Sequence, residues 1–121
     1  MARATENSPD WYNFRGLMLA LQGKFREAEA TVQEEWEAQK IPPIYHPVYH
    51  HFTHNAARIY ALAGNSEEAV KWLRVTAQEG FPNYLAFLHD PYLDTIRQQP
   101  NFKQFLAEVK ARWETSQQEI K

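Results

Sequence analysis

The residues best suited to chemistry in this sequence are the histidines that cluster in its middle. Four of the five histidines lie within nine positions, namely His46, His50, His51 and His54. On a helix, His50 and His54 would be neighbours on one face, and imidazole nitrogens at that spacing can bind Zn²⁺ or Ni²⁺. Two ligands do not complete a site, and no Glu follows either histidine as the HExxH motif requires. We therefore predict no metal and no cofactor, and we keep a histidine-based metal- or pH-responsive domain as a lesser alternative.

No other group of residues forms a catalytic constellation. The chain has no Cys, which excludes thiol nucleophiles. Ser8, Ser66 and Ser116 lie at a predicted helix start, a turn and a tail, where serine commonly has a capping role. The paired glutamates are adjacent in sequence, and adjacent residues of a helix do not face each other. We predict that the protein is not an enzyme.

The composition is that of one ordinary globular domain. The chain has 121 residues, of which 44% are apolar, and we predict a single domain over residues 1–121. Its formal net charge of −2 argues against non-specific nucleic-acid binding, so we predict no nucleic-acid partner. No apolar run approaches the roughly 20 residues of a membrane span, and residues 1–7 lack an apolar signal-peptide region, so we predict no membrane partner. The absence of Cys fits a reducing compartment, and we expect a cytoplasmic protein.

The stretch from His51 to Glu79 predicts two helices folded back on each other. Small and apolar residues recur at helical spacing before Gly64. Gly64 ends that helix, because Gly adopts left-handed backbone angles at little steric cost. Ser66 is predicted to cap the second helix, with acidic residues in its first turn. An apolar stripe then continues until Gly80 ends the second helix.

The same arrangement occurs earlier in the chain, which makes it an internal repeat. In both copies a small residue lies seven positions before the turn glycine, and an alanine lies five positions after it. Two helices joined by a tight turn pack closely only if small residues meet at their crossing, because a bulky residue there would overpack by roughly 1–3 kcal/mol. The matching pairs are Gly16 with Ala57, Leu19 with Tyr60, Gly23 with Gly64, and Ala28 with Ala69.

These two patterns resemble tetratricopeptide repeats (TPRs), a family of helical hairpins that recur at about 34 residues. Here the turn glycines lie 41 residues apart, and the extra residues fall in the proline-rich join between Lys40 and Pro47. The resemblance implies an all-α fold, an α-solenoid fragment of TPR-like helical hairpins with a C-terminal capping helix. We place the first hairpin over residues 9–40, the second over residues 48–80, and the C-terminal helices and cap over residues 83–118.

The first and last helices are predicted from their starts and their apolar faces. Ser8 and Pro9 make a good helix start, so we expect the first helix to run from there to about Gln22. This helix is apolar on most sides, and either the C-terminal helix or a partner must cover it. Gln99 and Pro100 start the last helix, which is apolar on one face and charged on the other.

The resemblance also implies a candidate binding surface. In this family the first helix of each repeat lines a concave groove that holds extended peptides, and a groove arginine can pair with a carboxylate. The positions that match the groove in this sequence are Asn13, Leu17, His51, His54 and Arg58. A second interpretation stays open, in which residues 83–118 fold back over the groove and fill it.

From the resemblance we predict a non-catalytic protein–protein interaction module that binds a peptide or a helix of a partner protein. The alternative is a homo-oligomerisation domain, with a possible homodimer formed through the apolar first helix. The segment between Glu79 and Ala107 is also similar to the C-terminal end of TPR regions in bacterial multidomain signalling proteins, which implies a C-terminal interaction module. Within that segment, Asp90 and Pro91 predict a cap and the first position of a short helix.

Overall fold

The computed structural model describes residues 13–39, 49–79 and 84–120, and these residues form seven helices and no strand. The helices are α1 (Phe14–Leu21), α2 (Phe25–Gln39), α3 (Tyr49–Leu62), α4 (Ser66–Glu79), α5 (Tyr84–His89), a 3-10 helix (Pro91–Ile96) and α6 (Pro100–Ile120). The all-α class that the sequence predicts is confirmed. Within the described ranges, no helix is both long enough and apolar enough to cross a membrane.

The two predicted turns have the same backbone geometry. Gly23 and Gly64 adopt left-handed φ angles of 81° and 82°, a region that favours glycine because it has no Cβ. The same backbone hydrogen bond of 2.9 Å closes each turn, from Lys24 N to Leu19 O and from Asn65 N to Tyr60 O. The chain therefore folds into two matching hairpins, α1–α2 and α3–α4. Their boundaries at residues 9–40 and 48–80 include residues outside the described ranges and stay a prediction.

The cap of α4 lies one residue earlier than the sequence analysis placed it. Asn65 Oδ1 accepts a hydrogen bond from Glu68 N at 3.2 Å, which makes Asn65 the capping residue. Ser66 is instead the first residue of α4, and its hydroxyl oxygen lies 3.3 Å from Asn101 Nδ2, which donates to it. The prediction that Ser66 caps this helix was wrong, because both residue types cap well and Asn65 is the one outside the helix.

Helix α1 begins later than predicted. Asn13 has φ 58° and ψ 43°, and these left-handed angles end any helical path that approaches from the N-terminal side. Its side-chain oxygen accepts a hydrogen bond from Gly16 N at 3.2 Å, so Asn13 caps an eight-residue helix. The prediction of one helix from Ser8 to Gln22 was therefore wrong, and Ser8 itself lies outside the described residues.

The crossing of α1 and α2 is packed without spare room. A Cβ placed on Gly16 would lie 2.2 Å from the Thr31 hydroxyl and 2.7 Å from the Asn13 side-chain oxygen. The equivalent crossing of α3 and α4 accommodates Ala57 and Ala69, which are both completely buried. Small residues are thus required where the helices of each hairpin meet, as the repeat pattern predicts.

The C-terminal helices pack against the second hairpin. The 3-10 helix packs against α3, and α6 packs against α4. Phe102, Phe105 and Val109 are buried on the inner face of α6, while Lys103 and Lys110 are exposed on its outer face. The long helix α6 therefore gives this end of the helical stack a charged outer surface.

Candidate interaction site

The centre of the candidate groove is a buried carboxylate held by two residues of α3. Asp90 lies directly before the 3-10 helix, and its side chain is only 2% exposed. Its Oδ2 atom lies 2.9 Å from His54 Nε2 and accepts a hydrogen bond from Arg58 Nε at 2.7 Å. Residues 54 and 58 are one helical turn apart, so both side chains reach the same carboxylate. The C-terminal segment thus contacts two of the predicted groove residues.

Asp90 also fixes the start of the 3-10 helix. Its second oxygen, Oδ1, accepts a hydrogen bond from Tyr92 N at 3.0 Å, and Pro91 occupies the first helical position. The prediction of Asp90 as a cap is confirmed. Arg97 donates through Nη2 to the Asp90 carbonyl at 2.7 Å and through Nη1 to the Leu88 carbonyl at 2.8 Å. The loop that carries the carboxylate is therefore held at its side chain and at its backbone.

Arg58 makes two further contacts that orient its guanidinium group. Its Nη1 atom donates to Asn55 Oδ1 at 2.8 Å, and its central carbon lies 5.2 Å from the centroid of the Tyr92 ring. The second contact is a cation–π interaction with a residue of the 3-10 helix. Arg58 therefore binds the C-terminal segment through Asp90 and Tyr92 together, and its side chain remains 27% exposed.

These contacts set the ionisation of Asp90. Burial raises the pKa of this carboxyl group, but the hydrogen bonds from His54 and Arg58 outweigh burial and hold the pKa below its ordinary value of 3.8. The carboxylate is therefore ionised at neutral pH, and its charge is balanced by Arg58.

The lowered pKa of Asp90 predicts that acid weakens the fold. Its contribution to stability is fully present above pH 3.8 and is lost as the pH falls through the lower folded-state pKa. We expect Asp90→Asn to lower the free energy of unfolding at about pH 6, and this difference from wild type should shrink at about pH 3. Urea unfolding of both proteins at each pH measures the difference. A difference that is the same at both pH values would show that the ionised carboxylate does not stabilise the fold.

The other predicted groove residues occupy different environments. Asn13 is completely buried beneath the start of α1, and its Nδ2 atom has no hydrogen-bond partner in the described part of the chain. Leu17 is 9% exposed and belongs to the hydrophobic core. His51 lies exposed on α3. The structure brings His54 and Arg58 together around Asp90, whereas Asn13 and Leu17 are not on an open surface.

The histidines that the structure describes do not form a metal site. His46 lies outside the described residues, and the side chain of His50 is also outside the description. Across residues 13–39, 49–79 and 84–120, no group of three or more His, Cys, Asp or Glu side chains is arranged to hold a metal ion. His54 makes its contacts with Asp90 and, at 5.4 Å between ring centroids, with Phe87.

A second candidate surface is the exposed side of α1. The sequence analysis predicted that this helix is so apolar that another helix or a partner protein must cover it. Three residues of α1 expose more than half of their area, with Phe14 at 57%, Met18 at 58% and Leu21 at 51%. They recur at helical spacing of four and three residues, so they lie along one side of α1. Phe25, at the start of α2, is 38% exposed. We call the three α1 residues, Phe14, Met18 and Leu21, the apolar face of the first hairpin.

Comparison with known protein families agrees with the hairpin geometry. Residues 12–34 and residues 50–74 each match the tetratricopeptide repeat family. The chain therefore contains two tetratricopeptide repeats. The matched segments lie within the two hairpins predicted from the glycine and alanine spacing, so the prediction of two repeats is confirmed. No curated protein and no solved structure matches the chain significantly.

Tetratricopeptide repeats generally mediate protein–protein interaction and are typically not catalytic, which supports the predicted class of function. The first repeat contains the apolar face and the second contains His54 and Arg58. The similarity of the C-terminal segment to bacterial signalling proteins stays a prediction, as does binding of a peptide in the groove.

Proposed function

We propose that this protein is a non-catalytic interaction module whose main contact surface is the apolar face of the first hairpin. The observation that carries the proposal is the exposure of Phe14, Met18 and Leu21, each above one half. Single exposed apolar side chains are ordinary on proteins, but several large ones on one side of a helix mark an interaction surface. Burying such side chains against a partner contributes roughly 1.5–3 kcal/mol each.

The groove residues of the second repeat make a weaker candidate. Asp90 already accepts hydrogen bonds from His54 and Arg58, so an acidic peptide would have to displace a carboxylate of the same chain. Such a displacement would leave the almost fully buried Asp90 carboxylate without His54 and Arg58 as partners. A buried charge without a partner is unfavourable. We therefore propose that His54 and Arg58 mainly hold the C-terminal segment, and that His51 remains accessible to a partner of the groove.

A homodimer is the second candidate, and the same observation supports it. The apolar face presents Met18 and Leu21 without a charged residue between them on that side of α1, and such a surface can pack against its own copy. We further propose a cytoplasmic location, supported by the absence of Cys from the sequence.

Met18→Glu tests the proposed contact surface. Met18 is exposed, so the charge should leave the fold intact, but in a complex it would be buried without a partner. We expect binding to weaken at least about tenfold. The measurement is quantitative affinity capture, with wild-type and variant protein as bait in an extract of the cells that produce the chain.

Ala107→Glu is the matched control, because it adds the same charge at an exposed position on the outer face of α6. The proposal predicts that wild type and Ala107→Glu capture the same partner proteins in equal amounts. Met18→Glu should fail to capture these proteins. Identical capture by all three baits would refute the apolar face as the contact surface.

A further inference from the structure

The sulfur chemistry of the described chain is concentrated at a single residue. The sequence contains no cysteine and two methionines, Met1 and Met18. Met1 lies outside the described residues, whereas Met18 lies in α1 and belongs to the apolar face of the first hairpin. Thiol oxidation is therefore impossible in this chain, and within the described ranges only Met18 can be oxidised to a methionine sulfoxide.

Met18 is accessible to a small oxidant in solution. Its side chain lies on the outside of α1, and the residue is 58% exposed. The indole ring of Trp72, which is also oxidisable, is by contrast 8% exposed and packs against the rings of Trp36 and Phe52. A peroxide molecule can therefore reach the Met18 sulfur without any opening of the fold.

The oxidation changes the polarity of the apolar face. Phe14 lies four residues before Met18 and Leu21 lies three residues after it, so Met18 is the central residue of this face. A sulfoxide oxygen is a hydrogen-bond acceptor, which water satisfies while the face is open. Burying that oxygen against an apolar partner surface without a donor is unfavourable. Oxidation of Met18 therefore opposes the burial of the face in a complex.

The same oxidation leaves the core of the protein unchanged. The residues through which α1 packs on the rest of the chain are buried and carry no sulfur, namely Gly16, Leu17 and Ala20. Because Met18 is not among them, an oxygen added to its sulfur points into solvent and displaces no packed side chain. Binding through the face and folding of the chain thus respond differently to oxidation at this residue.

We propose that Met18 is a reversible oxidation site through which a peroxide weakens binding at the apolar face of the first hairpin. This inference rests on the proposed function, because it regulates the same surface. The sulfur donates an electron pair to one peroxide oxygen, the O–O bond breaks, and hydrogen peroxide is reduced to water while the thioether becomes a sulfoxide. A methionine sulfoxide reductase reverses the step with two electrons from a dithiol and releases the oxygen as water.

Met18→Leu is the matched control, because leucine keeps an apolar side chain at this position and has no sulfur. The variant retains Met1, so any effect of oxidation at Met1 is the same in both proteins. Both full chains are treated with hydrogen peroxide, and peptide mapping by mass spectrometry locates the added oxygen. We expect Met18 to be oxidised at a rate close to that of free methionine. The circular dichroism spectrum and the thermal midpoint should stay unchanged.

Quantitative affinity capture from an extract of the cells that produce the chain then measures the effect on binding. We expect the oxidised wild type to retain at least about fivefold less of the proteins that the untreated wild type captures. Peroxide-treated Met18→Leu should capture as much as untreated Met18→Leu. Treatment of the oxidised wild type with a methionine sulfoxide reductase and dithiothreitol should restore its capture.

Three outcomes would overturn the inference. One is a Met18 that stays unoxidised while free methionine in the same solution reacts, and another is equal capture by oxidised and untreated wild type. The third is an equal loss of capture by peroxide-treated wild type and Met18→Leu, since the effect would then arise at another residue. If Met18→Glu abolishes capture but oxidation does not weaken it, the interaction function stands and the oxidation switch is refuted. If Met18→Glu captures as wild type does, the proposed function fails and the inference fails with it.

Discussion

Gly16→Ala is expected to destabilise the protein by about 3 kcal/mol, at the upper end of what overpacking costs. The added Cβ would lie 2.2 Å from the Thr31 hydroxyl, so either α2 must shift or Thr31 must leave its hydrogen bond to the Ala28 carbonyl. The clash outweighs the gain of up to about 1 kcal/mol that Ala has over Gly inside a helix. Urea unfolding followed by circular dichroism measures the free energy of unfolding.

Two variants control this prediction. Ala57→Gly changes the equivalent position of the second hairpin in the opposite direction, and it should destabilise by about 1 kcal/mol because glycine weakens a helix interior. Gly16→Ala combined with Thr31→Ala removes the closest contact and should recover part of the lost stability. A Gly16→Ala protein as stable as wild type would show that the crossing of α1 and α2 is not tightly packed.

Asp90→Ala is expected to cost about 3 kcal/mol, because breaking a buried ion pair from one side leaves the other charge uncompensated. Arg58 and His54 would lose their shared acceptor, and the 3-10 helix would lose its cap at Tyr92 N. Loss of the cap alone accounts for about 1 kcal/mol. Thermal and urea unfolding of the variant measure the effect.

Asp94→Asn is the control for the Asp90 prediction. Asp94 pairs with Arg97 at 2.9 Å, but its side chain is 67% exposed, so we expect a change of about 0.5 kcal/mol or less. Double variants add a further check. Since Asp90 and Arg58 interact directly, the effect of Arg58→Ala should be smaller in the Asp90→Ala background than in wild type. If the effects of Arg58→Ala and Asp90→Ala on the free energy of unfolding simply add, the two residues do not interact. That result would contradict the hydrogen-bond network around Asp90.

The hairpins were predictable because their determinants are local. The turn glycines and the small residues at the crossings lie within twelve positions of each other in each repeat, and their spacing is visible in the sequence. The helix starts were less predictable, because several neighbouring residues cap equally well. Asn65 rather than Ser66 caps α4, and the left-handed angles of Asn13 begin α1 at Phe14.

The environment of the groove residues was not predictable, because it depends on contacts distant in sequence. Asp90 lies 32 residues after Arg58, and the sequence showed it only as a helix cap. Asn13 and Leu17 are the counterparts of His54 and Arg58 at the same offset of 41 residues. Asn13 and Leu17 are buried, whereas His54 and Arg58 bind Asp90 directly before the 3-10 helix.

The most direct test of the account is photo-crosslinking from position 18 in the cells that make the protein. A diazirine amino acid replaces Met18, and the same amino acid at Ala107, also exposed but on α6, is the control. The account predicts crosslinks from position 18 to a second polypeptide, at a level well above those from position 107. If position 18 crosslinks only within its own chain, or no more than position 107 does, the apolar face is not a partner-binding surface.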